Sequence, residues 1–161
     1  MIRIVVVDDH PIVRQGLVAT LDDEADFQVV GAASSAEDAV GLVAQHTPDV
    51  VLLDLELPGM SGVEAIPRLR EASPNARILV FTAYDTDERV LSAVRAGAGG
   101  YLLKGAAVTE IASAVRTVAA GGTALTASAS RAAADGARAV PPPATVLMAL
   151  AISVTAAPFR R

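Results

Sequence analysis

Cysteine and tryptophan are absent from the 161 residues, lysine occurs once, and aromatic side chains make up only 3%. Without cysteine there is no disulfide framework, no thiolate zinc site and no cysteine nucleophile. The first nine residues do not read as a signal peptide, because their apolar run is short and ends in two carboxylates. No run of 18 apolar residues occurs, so no membrane-spanning helix is expected and a cytoplasmic location is. Positive charge is also scarce: 13 Lys and Arg face 18 Asp and Glu. Residues 1–120 carry 17 acidic and 9 basic side chains, whereas residues 121–161 carry 1 acidic and 4 basic. An acidic first part repels phosphate backbones, and four scattered Arg in the remainder do not form a nucleic-acid-binding stripe.

What the chain has in quantity is apolar residues, 52% of the total, enough to build a core. Residues 2–7, 27–32, 50–53, 78–82 and 100–103 are near-continuous apolar runs rich in β-branched side chains. Such runs mark parallel strands covered on both faces. Between them the apolar spacing becomes helical. Val13, Leu17 and Leu21 recur at four, Ala36, Ala39, Val40 and Val43 share a face, and Val90 and Val94 mark another. Val108, Ile111, Ala112, Val115 and Val118 form the cleanest stripe. Five strands alternating with five helices predict an α/β fold, a doubly wound five-stranded parallel sheet with right-handed crossovers.

Two segments fit this scheme less well. Pro67 falls inside the third helical segment, residues 61–72, and predicts either a kink or a regular part beginning near Ala65. After Gly121 and Gly122 the apolar pattern dissolves into Ala, Ser and Thr, followed by Pro141, Pro142 and Pro143. Three regions follow: 1–120 as the domain, 121–143 as a linker, and 144–161 as an apolar tail. The tail is expected to be poorly ordered or a short docking helix.

In an open α/β sheet, ligands bind beyond the carboxyl ends of the strands. Asp8 and Asp9 close the first strand, Asp54 the third, Thr82 the fourth, and Lys104 the fifth. Each residue alone has an ordinary explanation. Asp9 before His10 and Pro11 could cap a helix, Thr82 could be a strand residue, and Lys104 a solvated strand end. Their joint placement at four strand ends is what indicates a site. Three neighbouring acids need a cation to remain ionised together, and hard oxygen donors suit Mg²⁺. A carboxylate beside Mg²⁺ can act as a nucleophile toward a phosphoryl group. The equatorial oxygens of that group would then be shared among the metal, Lys104, the Thr82 hydroxyl and a backbone N–H.

Four motifs carry a specific resemblance. Val-Val-Asp-Asp-His-Pro-Ile-Val-Arg-Gln-Gly-Leu (6–17), Asp-Leu-Glu-Leu-Pro-Gly-Met-Ser-Gly (54–62), Thr82-Ala83 and Gly-Ala-Gly-Gly-Tyr-Leu-Leu-Lys (97–104) resemble the receiver domain of two-component response regulators, in particular the NarL/FixJ (LuxR-type) subgroup. The resemblance covers about residues 1–120. It implies the flavodoxin-like strand order 2-1-3-4-5 and Asp54 as acceptor of a phosphoryl group from a histidine kinase. It further implies Asp9 as a direct Mg²⁺ ligand, Asp8 mainly through water, and the Glu56 backbone carbonyl as another ligand. Thr82 and Tyr101 are implied as a switch pair acting with Lys104. The side chains of Glu56 and Tyr84 would flank the path of attacking water. Gly105 departs from the pattern, standing where many receivers have proline.

Members of this subgroup usually continue into a helix-turn-helix domain of about 60 residues. The 18 residues after the proline run hold no such pattern, so DNA binding by the chain as written is not expected. Two explanations compete: a stand-alone receiver acting by protein contact, or a reading-frame change or truncation that replaced an output domain. Outside signalling, an aspartyl-phosphate phosphatase is the enzyme alternative, although Asp9 is followed by His10 and Pro11 and not by Asp-x-Asp. A passive metal-binding module is the third. The expected protein is not an enzyme beyond slow self-dephosphorylation, and the resemblance implies pairing as a homodimer through the fourth helix, fifth strand and fifth helix, or through the first and fifth helices.

Overall fold

The computed structural model describes residues 1–139, so the calls on residues 140–161, including the apolar tail, lie outside the described residues. The chain runs β1 (Ile2–Val7), α1 (Pro11–Asp22), β2 (Phe27–Ala33), α2 (Ala36–His46), β3 (Val50–Leu53) and α3 (Gly62–Ala72). It continues as β4 (Arg77–Thr82), α4 (Asp87–Ala96), β5 (Gly100–Leu103), α5 (Val108–Ala119), β6 (Ala124–Leu125) and α6 (Ala127–Ala139). All neighbouring strands pair in parallel, in the order β2-β1-β3-β4-β5-β6.

The near-continuous apolar strands are explained by two separate cores. Alternate side chains Val5, Val7, Val51, Leu53, Ile78 and Val80 pack under Ala39, Val43, Ile66, Leu69, Val90 and Val94 of α2, α3 and α4. The intervening Ile4, Val6, Val50, Leu52, Leu79 and Phe81 pack under Leu17, Leu21, Ile111, Val115 and Val118 of α1 and α5. Successive strand residues face opposite sides, so in the buried stretches Ile4–Val7 and Val50–Leu53 both faces are covered and no residue is polar until the strand ends. That is why the first polar residues after β1 and β3 are Asp8 and Asp54.

The third helix does not begin late, near Ala65. It starts at Gly62, with Ser61 as a reciprocal cap: the Ser61 hydroxyl accepts from Glu64 N at 3.2 Å and Glu64 Oε2 accepts from Ser61 N at 2.9 Å. Pro67 sits within the helix on its exposed side, where water can reach the carbonyl that proline leaves without a donor. Burial of Ile66 and Leu69 on the opposite side holds the segment helical across it.

The region from 121 onward also differs. It holds a sixth strand and a sixth helix, beyond the five of each expected. β6 pairs with β5 through Gly100–Ala124 and Tyr101–Leu125. α6 packs against α4 with Ala129, Ala132 and Ala133 buried. A Cβ added to Gly136 would collide with Leu91 of α4, so the two helices approach closely there. The first turn of α6 is tied by Ser128 Oγ donating to Asp85 Oδ2 at 2.5 Å and by Thr126 Oγ1 accepting from Ala129 N at 3.2 Å.

Candidate functional site

Backbone hydrogen bonds beyond the strand ends bring the singled-out residues together. Asp8 N donates to Ala33 O at 3.1 Å, Asp54 N to Val7 O at 2.9 Å, and Lys104 N to Thr82 O at 2.9 Å. The sheet ladder is thereby extended by one residue at each strand, and the functional side chains emerge on one edge. Gly62 fixes the loop after Asp54: a Cβ there would lie 2.6 Å from Leu55 Cα and collide with the Asp54 carbonyl. Only glycine lets the start of α3 close over the Asp54 backbone.

Asp8, Asp54 and Thr82 are buried, and Asp9 is half-buried. Lys104 Nζ donates to Asp54 Oδ2 at 2.8 Å and lies 2.8 Å from Asp8 Oδ2, the latter contact being outside hydrogen-bond geometry. Asp54 Oδ1 accepts from Glu56 N at 3.1 Å. Asp8 Oδ1 accepts from His10 N at 2.8 Å, and His10 Nδ1 lies 2.9 Å from Asp9 Oδ1. Arg14 Nη1 donates to the Asp8 carbonyl at 2.7 Å. One ligand atom from each of Asp8, Asp9, His10 and Asp54 can be enclosed within 4.8 Å. The helix-cap explanation of Asp9 does not hold: His10 occupies the position before α1, and no side chain caps that helix.

Three buried oxygens stand without a hydrogen-bond partner: Asp8 Oδ2, Asp9 Oδ1 and Thr82 Oγ1. Unsatisfied buried polar atoms are costly, and a cluster of them at one edge indicates groups held ready for a ligand. Burial pushes the Asp54 carboxyl above the ordinary aspartate value, the Asp8 charge adds to this, and Lys104 opposes it. Burial works against the Lys104 ammonium as well, but the Asp54 and Asp8 carboxylates prevail and hold its pKa above the usual lysine value. Burial likewise pushes Tyr101 up to about 12. The Tyr101 ring is fully enclosed, and its hydroxyl donates to Tyr84 O at 2.5 Å. A cavity of about 250 Å³ lined by His10, Asp54, Glu56, Ala83, Tyr84 and Lys104 opens onto Asp54.

The sequence alone does not single out His10 or Arg89. His10 braces both Asp8 and Asp9, and its only signal is its place in the Asp-Asp-His-Pro run. Arg89, in the first turn of α4, forms an ion pair with Glu56 and lies over the Tyr84 ring, 4.8 Å from its centroid. Nothing in its local sequence, between two acids and a valine, marks it.

The family model of the response regulator receiver domain matches residues 4–116. The chain belongs to this family. Receiver-bearing relatives include the nitrate/nitrite response regulator protein NarL of Escherichia coli, 41% identical over 118 residues, which are 73% of this chain and 55% of that one. The transcriptional regulatory protein LiaR of Bacillus subtilis is 40% identical over 121 residues, 75% of this chain and 57% of that one. The chain thus spans little more than half the length of these curated relatives. Among solved structures, a LuxR-family two-component response regulator from Aurantimonas superposes with a TM-score of 0.78 at 37% identity, covering 84% of this chain and 97% of that one. The receiver domain of a NarL from Mycobacterium tuberculosis gives 0.72 at 40% identity, covering 74% and 97%. The receiver fold predicted for the first 120 residues is therefore the observed one. Among the described residues no helix is long and apolar enough to cross a membrane.

Proposed function

We propose that this receiver accepts a phosphoryl group on Asp54 from a histidine kinase in the cytoplasm and changes its surface in response. The observation that carries this reading is the set of unsatisfied buried oxygens around Asp54, next to a lysine that bridges Asp54 and Asp8. Asp54 supplies the nucleophilic oxygen. Its other oxygen is fixed by Glu56 N, so the carboxylate is held in one orientation. Lys104 and the Thr82 hydroxyl are placed to take phosphoryl oxygens. The buried Thr82 hydroxyl lies near the Asp54 carboxylate and makes no well-formed hydrogen bond elsewhere.

The donor set fits Mg²⁺: carboxylate oxygens of Asp8, Asp9 and Asp54 cluster within 4.8 Å, and Asp8 Oδ2 and Asp9 Oδ1 make close contacts with Lys104 and His10 but no well-formed hydrogen bond. Asp8, Asp9 and Asp54, with the Glu56 carbonyl, would hold the ion. When bound, it would offset the charge of the transferring phosphoryl group.

Thr82 and Tyr101 are the proposed switch. Drawing the Thr82 hydroxyl toward a phosphoryl oxygen shifts the loop after β4, and that loop holds the Tyr101 hydroxyl through Tyr84 O. The β5 edge and the face of α4 are covered by β6 and α6, which supports pairing of copies through α1 and α5. Mg²⁺-dependent labelling by acetyl phosphate, lost in Asp54→Asn, tests the reading. Labelling that persists in that variant contradicts it.

A further inference from the structure

The cavity above Asp54 has two acids in its lining, Asp54 and Glu56, and Asp8 and Asp9 adjoin Asp54 in the carboxylate cluster next to it. The one ammonium near Asp54 is already engaged: Lys104 bridges Asp54 and Asp8, and the His10 ring is turned to Asp8 and Asp9. An anionic phosphodonor entering this cavity therefore meets the Glu56 carboxylate before any free positive charge. Arg89 changes that. Its guanidinium pairs with Glu56, on the loop after β3, and covers the ring of Tyr84, on the loop after β4. The two rims of the cavity are thus joined through one side chain that contributes nothing to the core.

We propose that Arg89 is a positioning residue for entry of the phosphodonor, neutralising Glu56 and holding the Glu56 and Tyr84 rims apart from the path to Asp54. This rests on the reading of Asp54 as phosphoacceptor. In that step an Asp54 oxygen bonds to phosphorus while the bond from phosphorus to the leaving group breaks. The leaving group, acetate in the case of acetyl phosphate, departs with the bonding pair. Arg89 takes no part in the bond changes. Its effect is on the approach of a dianion to a negatively lined opening. The Glu56 and Arg89 side chains are 45% and 40% exposed, so their pair is sensitive to salt.

The test compares the Mg²⁺-loaded chain with Arg89→Ala, Arg89→Lys and the double variant Arg89→Ala/Glu56→Gln, using acetyl phosphate as donor. Arg89→Ala is expected to lower the labelling rate at limiting donor about threefold to tenfold at low ionic strength. The loss falls mainly on the donor concentration for half-maximal rate, less on the maximal rate, and closes at high salt. Arg89→Lys retains most of the rate, and removing the Glu56 charge in the double variant restores most of it. A double variant as slow as Arg89→Ala, or a loss that salt does not change, overturns the proposal by showing a merely structural role. An unchanged Arg89→Ala in a wild type that labels on Asp54 overturns it alone. A wild type that takes no Asp54-dependent label overturns the phosphoacceptor reading and this proposal with it.

Discussion

Lys104 Nζ lies 2.8 Å from Asp54 Oδ2 and 2.8 Å from Asp8 Oδ2, so one ammonium joins two buried carboxylates from neighbouring strands. It is the only lysine among 13 basic residues. A compact charge on a flexible stem can reach between two acids at the end of β5, where the wide planar fork of arginine would need space on both sides.

Lys104→Arg should therefore leave labelling of Asp54 measurable and weaken its link to the rest of the fold. The check is amide hydrogen exchange over α4 and the β4–α4 loop, before and after phosphorylation. The wild type should respond and the variant should not. A full wild-type response in the variant would show that the shape of the cation is immaterial.

Asp54 is itself a source of instability. Burial and Asp8 raise its folded pKa above the unfolded value. The folded state then binds the Asp54 proton more tightly, and this stabilisation is complete below the unfolded pKa and lost as pH rises through the folded one. At neutral pH without metal, Asp54→Asn should raise the thermal midpoint by about 2–4 °C, the shift that ~1 kcal/mol gives in a chain of this size. Added Mg²⁺ should narrow or reverse the difference by stabilising the wild type more. Thermal melts at pH 7 with and without Mg²⁺ decide it, and a destabilised Asn variant in the absence of metal would contradict the account.

Tyr101 gives an alkaline signature. Its folded pKa of about 12 exceeds the ordinary tyrosine value of about 10. Stability from this residue is complete below pH ~10 and is lost between ~10 and ~12 as the unfolded chain releases its proton first. Tyr101→Phe removes the bond to Tyr84 O and should cost about 1 kcal/mol at pH 7. Denaturant unfolding at pH 9, 10 and 11 should show the gap between wild type and Phe variant closing as pH rises. A constant gap would show that the hydroxyl is not the buried proton holder.

The close approach of α6 to α4 depends on the absence of a side chain at 136. Gly136→Leu would force Leu91 aside and is expected to separate the helices, with faster amide exchange across 127–139 and little change over β1–β5. Ser128→Ala, which removes the bond to Asp85, should act in the same direction but more weakly, by about 1 kcal/mol. Unaltered exchange in both variants would mean that α6 is not held by these contacts.

Five strands of the sheet were legible because each holds a near-continuous apolar run and each crossover helix keeps an apolar stripe. The same arithmetic failed for α6. Its buried positions Ala129, Ala132 and Ala133 have helical spacing, but side chains this small bury little area and do not register as an apolar face. Pro67 was legible as a disturbance and not as an outcome, since the Ser61–Glu64 cap and the burial of Ile66 and Leu69 outweigh one lost hydrogen bond. Asp8, Asp9, Asp54, Thr82 and Lys104 were legible as a set through their place at strand ends. Arg89 was not, because its partners Glu56 and Tyr84 come near it only when two loops meet over the sheet edge.

The most direct test of the central claim is site-resolved mass spectrometry of the chain incubated with acetyl phosphate and Mg²⁺. The account predicts one alkali-labile, hydroxylamine-labile phosphoryl group on Asp54, absent when Mg²⁺ is chelated and absent in Asp54→Asn. A phosphoryl group found on another residue, or none on Asp54 in a folded chain with Mg²⁺ present, would contradict it.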